Sequence, residues 1–310
     1  MAFQIHPGVW PTMITPFTED NKIDYQAIPR MVDFFYRRGC DGIFAVCQSS
    51  EMLFLSPQEK IDLAKAVADA NQGRMQLIAS GHTATDLKTQ LQEIEDMMKV
   101  DGVEAYVLVS NALDPENKGD SVFMKNFEET VKAFPDVSFG IYECPMPYKR
   151  LVSLSCLKEM AQSGKLVFLK DTCCDYELIR QRIKAVEGTP LKLFNANAAS
   201  FYDSLCHGAA GYNGIMANFH PELYRYVVDH NESGPEKAAL MAHLLTELAM
   251  VEMRLYPVSA KYHMNLSGIP MSLTTRSCDA NRFDKNARME VDSMFAVEHY
   301  LHDCLKITQL

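Results

Sequence analysis

Along the first two thirds of the chain, short apolar runs alternate with amphipathic stretches. The apolar runs are GVWPTMIT (8–15), GIFAVC (42–47), QLIASG (76–81), AYVLVS (105–110), VSFGIYE (137–143), LVFLK (166–170), LKLFN (191–195) and GYNGIM (211–216). Each is short and bounded by polar or glycine-rich sequence, which predicts a buried strand. The stretches between them carry helical spacing. Ile28, Met31, Val32 and Phe35 recur at i, i+3, i+4 and i+7, and Gly39 follows as a stop. Pro29 sits near the start of that segment, where a missing N–H costs little. Ser56-Pro57 opens the next helix, with proline at the favoured first position.

Strands that alternate with helices predict a parallel sheet. Eight such units before residue 217 predict an α/β fold closed into a (β/α)8 TIM barrel. No G-x-G-x-x-G follows a strand, so an open doubly wound sheet is disfavoured. Beyond ANFHPELYRYVVDH the alternation ends. Leu240, Met241, Leu244, Leu245 and Leu248 return at helical spacing. No Gly, Ser or Pro linker separates the two parts. The expected division is a barrel over 1–217 and a C-terminal helical extension over 218–310 packed on it.

Composition narrows the partners. The 310 residues are 47% hydrophobic and 23% charged, ordinary for a globular chain. A net charge of −10 with no long basic run argues against nucleic acid. An anionic ligand must then be held by a local cation or by backbone dipoles. No apolar run is long enough to cross a membrane, and MAFQIHPGVWPTMITPF lacks the pattern of a secretory leader. Nine cysteines at irregular spacing point to reduced thiols and a cytoplasmic protein.

In a barrel of this type the chemistry lies at the C-terminal ends of the strands. Lys170 ends the sixth run. A lysine in a barrel mouth loses hydration, which favours its neutral, nucleophilic form, and such an amine can attack a carbonyl carbon. The plainer alternative is a lysine that snorkels to solvent or pairs with Asp171. Tyr142 ends the fifth run beside it. Its phenol could move protons at a carbinolamine, or it could simply be tied to a neighbour. CQSSE (47–51) offers Gln48, Ser49, Ser50 and free N–H groups, either as a carboxylate nest or as a helix cap. Asn195 and Asn197 could bind hydroxyls or cap a helix. Cys47, His82, Cys144, Cys173 and Cys174 also fall just after strands. Their spacings match no metal motif, so no metal and no cofactor are expected.

Several of these segments carry a resemblance. The chain resembles the family of dihydrodipicolinate synthase and N-acetylneuraminate lyase, class I Schiff-base aldolases on a (β/α)8 barrel. GVWPTMITPFTEDNKIDYQAIPRMVDFFYRRGCDGIF is similar to its N-terminal block. CQSSE stands where the family has Gly-Ser/Thr-Thr-Gly-Glu. IYECP resembles its Tyr-Asn-x-Pro strand, FLKDT its lysine strand, and GAAGYNGIMANFHPELY its eighth strand and following helix. The likeness runs over most of the first 230 residues and, more loosely, to PVSAKYHMNLSGI. It implies that Lys170 forms an imine with a 2-oxo acid such as pyruvate and that Tyr142 is the general acid/base. It also implies that Ser49, with backbone N–H groups near Ser50, holds the substrate carboxylate. Gln48, Thr172 and Asn213 would complete the substrate site, and the covalent imine would replace any cofactor.

The departures argue against lysine biosynthesis. Pro147 stands where those synthases carry an arginine, and Asn111 and Ala112 stand where they carry a tyrosine pair. Glu143 replaces the usual asparagine, and Ser50 replaces the loop's second glycine. Both changes are expected to alter the pocket's polarity. The resulting expectation is a Schiff-base lyase or aldolase that cleaves to, or condenses with, pyruvate. A dehydratase or hydratase of a 2-keto-3-deoxy sugar acid using the same imine is the alternative. A non-catalytic oxo-acid-binding homologue is a further one. The resemblance also implies a homo-oligomer, a dimer or tetramer.

Overall fold

The computed structural model describes residues 3–306. Its eight strands are β1 (Gly8–Val9), β2 (Gly42–Ala45), β3 (Gln76–Ala79), β4 (Ala105–Val109), β5 (Phe139–Tyr142), β6 (Leu166–Asp171), β7 (Lys192–Asn195) and β8 (Gly211–Tyr212). All are parallel, in the order β1-β8-β7-β6-β5-β4-β3-β2. A bridge between Thr12 and Phe44 brings the two ends of the sheet together. The result is the nearly closed (β/α)8 TIM barrel expected from the alternation, with a C-terminal helical extension.

Helices α1 (Ile28–Arg37), α2 (Pro57–Asn71), α3 (Leu87–Met98), α4 (Asp120–Ala133), α5 (Leu154–Gln162), α6 (Tyr176–Ala185) and α7 (Ala198–Cys206) separate the strands. α2 starts where Ser56-Pro57 suggests, and Ser56 and Glu59 form a reciprocal capping box there. Gly39 follows α1 with φ of +75°, a conformation that glycine adopts without strain. After β8 come α8 (Pro221–His230), α9 (Pro235–Leu248), α10 (Val258–Leu266) and α11 (Lys285–Leu305). A 3₁₀ turn over Ala249–Met253 links α9 to α10. α8, which the sequence reading counts with the tail, packs against β1 and against α9.

Two strands are shorter than their apolar runs. β1 stops before Pro11, which has no N–H to continue the ladder. β8 ends at Tyr212, and the chain turns into a 3₁₀ segment over Ile215–Asn218. β1 and β8 approach very closely: a Cβ on Gly211 would lie 1.8 Å from the Gly8 carbonyl oxygen.

Aromatic rings fill the barrel interior. Phe168 packs on Phe194 with centroids 4.9 Å apart, on Trp10 at 6.0 Å and on Phe44 at 6.1 Å. Gly140 makes room for this layer, because a Cβ there would sit 3.1 Å from both the Phe168 ring and Val107. The pleat then sets what lies above. Lys170 follows Phe168 by two residues and so shares its inward face.

Candidate active site

Above the aromatic layer, at the C-terminal ends of the strands, lies a cavity of about 560 Å³. Lys170 and Tyr142 are register partners on β6 and β5, and both line it. The Lys170 ammonium lies 4.6 Å from the centroid of the Tyr142 ring and 5.8 Å from that of Phe44. Lys170 is only 4% exposed. That burial pulls its pKa down to about 8, offset in part by Cys47, Cys144 and Glu252. Burial pushes the Tyr142 phenol well above its ordinary value. Its hydroxyl donates to Gln48 Oε1 at 2.9 Å, and the Cys144 thiol donates to the same oxygen at 3.3 Å.

Gln48, Ser49 and Thr172 also line the cavity. Ser49 donates its hydroxyl to Thr12 Oγ1 at 3.1 Å. Thr172 donates to the Glu143 carbonyl at 2.7 Å. Ser50 and Asn213 do not line it. The Ser50 hydroxyl turns inward, donating to the Met13 carbonyl at 2.7 Å and accepting from the Cys47 amide at 3.0 Å. The amides of Ser50 and Glu51 close turns onto the carbonyls of Cys47 and Gln48. The nest around CQSSE therefore has fewer open N–H groups than its residue types suggest. Asn213 is fully buried and donates to the Trp10 carbonyl at 2.6 Å, while its Oδ1 has no partner. The backbone is strained just before this loop: Val46, a β-branched residue, has φ of 50°.

The expectation that Glu143 and Ser50 change the pocket's polarity is corrected. Glu143 follows the inward Tyr142 and therefore points outward. It meets Arg182 of α6, whose Nη2 lies 2.7 Å from Glu143 Oε1. The open alternatives for Asn195 and Asn197 also resolve. Asn197 caps α7, accepting from the Ser200 amide at 3.0 Å, and the residue also borders the cavity. Asn195 points outward to Ser200 and Ser204. Cys173 and Cys174 bond locally, and His82 accepts from the Val109 amide at 2.9 Å. Among the described residues no three His, Cys, Asp or Glu side chains are grouped to hold a metal ion.

The extension contributes residues that strand-end reading misses. Glu252, Tyr256, Pro257, Ser277 and Cys278 all line the cavity. Tyr256 accepts from Asn218 Nδ2 at 3.2 Å. Glu51 holds the segment over 275–277 in place: its Oε2 accepts from the Thr275 hydroxyl at 2.6 Å and from the amides of Arg276 and Ser277 at 2.6 and 2.7 Å. Glu252 is half-buried. Burial raises its pKa to about 7, against the pull of the Lys170 charge. The one sequence signal for this region is the loose likeness of PVSAKYHMNLSGI, which begins only after Glu252. Leu53, Phe54, Pro145, Met146 and Ile215 form apolar walls. Lys149 and Lys170 are the only cations among the lining residues described.

Comparison with known proteins agrees with the fold. Residues 6–294 match the sequence profile of the dihydrodipicolinate synthetase family. The fold is similar to that of YagE, a prophage protein of the dihydrodipicolinic acid synthase family from E. coli K12, solved in complex with pyruvate. The TM-score is 0.83 at 18% identity, over 97% of this chain and 99% of that one. Dihydrodipicolinate synthase from Cyanidioschyzon merolae with lysine bound superimposes with a TM-score of 0.84 at 18% identity, covering 95% and 98%. That from Aquifex aeolicus gives 0.82 at 17% identity, covering 96% and 98%. At these identities the superpositions speak for the fold.

Proposed function

The chain belongs to the dihydrodipicolinate synthetase family, and on that premise we propose that it is a class I lyase or aldolase in which Lys170 forms an imine with a 2-oxo acid. The observation that carries the reading is a buried lysine, facing a tyrosine, inside a cavity at the mouth of the barrel. Pyruvate is the oxo acid we favour, as YagE was solved with it. A pKa near 8 instead of 10.5 raises the neutral fraction of the amine at pH 7 by roughly three-hundredfold. The neutral amine attacks the oxo carbon, and Tyr142 relays the two protons of the attacking nitrogen to the carbinolamine oxygen, which leaves as water, so that the phenol ends protonated as it began and the imine takes up a proton from solvent. The protonated imine then draws electrons from the neighbouring carbon, so a bond beta to it can break or form. Ser49 supplies a hydroxyl for the substrate carboxylate. The chemistry requires neither metal nor organic cofactor.

The reaction is not that of a typical dihydrodipicolinate synthase. No arginine is among the lining residues described. Asn111, at a position of the family's tyrosine pair, donates instead to the carbonyls of Cys144 and Tyr148 at 2.9 and 2.6 Å. Exposed Met250, Met253 and Tyr300 on the extension support assembly into a homo-oligomer.

Incubation with pyruvate and borohydride, followed by intact mass and peptide mapping, tests the reading. A pyruvyl adduct on Lys170 is expected, absent in Lys170→Ala. In Tyr142→Phe the kcat should fall about a hundredfold while pyruvate binding changes only a few-fold. Wild-type protein that traps no 2-oxo acid would exclude this function.

A further inference from the structure

The imine accounts for Lys170 but leaves one proton without a carrier. Before a carbon–carbon bond can form, C3 of the bound oxo acid must lose a proton. Tyr142 is a poor acceptor for it. Burial keeps its phenol protonated, and its hydroxyl points at Gln48 Oε1, an amide oxygen that passes no proton onward. Two carboxyl groups border the cavity, Glu51 and Glu252. Glu51 is spent on the Thr275 hydroxyl, two backbone amides and Lys261. Glu252 makes no hydrogen bond within the described residues. It is carried on the 3₁₀ turn over Ala249–Met253 and shares the cavity with Lys170.

We propose that Glu252 is the proton-exchanging residue of the carbon–carbon step, taking a proton from C3 of the lysine-bound oxo acid and giving it to the oxygen of the aldehyde partner. This rests on the imine reading above. The Glu252 carboxylate removes the C3 proton, and the C–H pair becomes the enamine double bond while the C=N pair moves to nitrogen. C3 then attacks the aldehyde carbon. The C=O pair moves onto oxygen, which takes the proton back from Glu252, and the C=N bond re-forms. Water releases the 4-hydroxy-2-oxo acid from Lys170. Glu252 ends as it began, so no outside acid or base is needed, and cleavage is the same path reversed.

The surroundings suit that cycle. The Lys170 charge on β6 pulls on Glu252, and Glu252 in turn acts on the phenols of Tyr212 from β8, Tyr224 from α8 and Tyr256 just before α10. Burial holds all three phenols neutral, so Lys170, or the iminium that replaces it, is the one charge among them. Arg254, on the same stretch of chain, pairs with Glu290 of α11. With a pKa near 7, Glu252 is populated both as base and as acid at neutral pH, the condition under which one group serves both steps.

The test needs no knowledge of the aldehyde. Exchange of the pyruvate methyl protons in D₂O, followed by proton NMR at saturating pyruvate, reads the C3 step alone. Borohydride trapping in parallel reads the imine. Glu252→Gln should trap pyruvate within about twofold of wild type yet exchange about a hundredfold more slowly. Glu252→Asp should recover part of the rate. The wild-type exchange rate should rise with pH through a midpoint near 7, and Glu252→Gln should lose that limb. A Glu252→Gln protein that traps pyruvate and exchanges at the wild-type rate overturns the proposal while the imine reading stands. Wild-type protein that traps nothing overturns both. Should Glu252→Gln trap nothing, the wild-type profile decides: a limb near 7 supports the proposal, and a rate flat through neutrality overturns it.

Discussion

Lys170 and Asp171 follow one another on β6, and the pleat sends them to opposite faces. Both are buried, at 4% and 0% exposure. Asp171 finds Arg182 at 2.5 Å, and Arg182 also reaches both oxygens of Glu143, at 2.7 and 3.0 Å, and the Val152 carbonyl at 2.8 Å. The second oxygen of Asp171 accepts from the Cys173 amide at 2.9 Å. Burial works against the Arg182 charge, and Glu143 and Asp171 more than offset it. On the inward face, Lys170 has only the faces of Tyr142 and Phe44, and its pKa falls. Burial alone therefore does not mark a functional group. What separates the two is satisfaction: on the outward face charges meet partners, and on the inward face an amine is left without one. Perturbed groups of the second kind are the ones to expect in active sites.

Substitutions on the two faces should act oppositely. Arg182→Met leaves Glu143 and Asp171 as unpaired buried carboxylates, which costs about 3–5 kcal/mol. A urea midpoint would show the loss, and the folded fraction should still trap pyruvate, because Arg182 does not border the cavity. Loss of trapping in well-folded Arg182→Met would break the distinction. Lys170→Met should do the reverse, abolishing the adduct and stabilising the fold at pH 7. The folded pKa of Lys170 is near 8 and the unfolded one near 10.5. The unfolded chain thus binds more protons between those values, so wild-type stability rises with pH across that window. Below it the buried ammonium costs up to about 3 kcal/mol, which methionine removes. Equal slopes of stability against pH in the two proteins would contradict this account.

The same pleat explains how much could be read from the chain. The eight strands were legible because buried parallel strands are short apolar runs, and the helices because their apolar spacing is regular. Lys170 and Tyr142 were legible as strand ends. Glu143 was open to the same reasoning: a residue next to an inward tyrosine must face outward, and two-residue periodicity says so without coordinates. Ser50 was not. Beyond the left-handed Val46 the chain follows a turn, and residue type does not tell which hydroxyl faces the cavity. Glu252 was least accessible. It stands on no strand, and it borders the site only because the extension folds back over the barrel mouth. Such a contact, between residues so far apart in sequence, leaves no periodic trace.

The extension holds its own instance of the outward kind, and it should give the smallest effect. Glu298 of α11 accepts from His220 Nδ1 at 2.6 Å and from His263 Nε2 at 2.8 Å, joining α11 to α10 and to the start of α8. Burial raises its acid, and His263 and His220 more than offset that, so its pKa lies below the ordinary value of 4.5. A depressed carboxyl contributes stability that is present above its unfolded pKa and lost as pH falls through the folded one. Glu298→Gln removes the charge but not the bonding. His220 Nε2 and His263 Nδ1 have no partners, so either ring can move its proton and accept from the new amide. We therefore expect a loss of about 1–2 kcal/mol at pH 7, shrinking once the pH falls below the ordinary carboxyl value of 4.5, with pyruvate trapping unchanged. Urea denaturation at neutral and acid pH measures it. A deficit that kept growing below that value would mean that Glu298 resembles Lys170 rather than Asp171: a charge held against its surroundings instead of one satisfied by them.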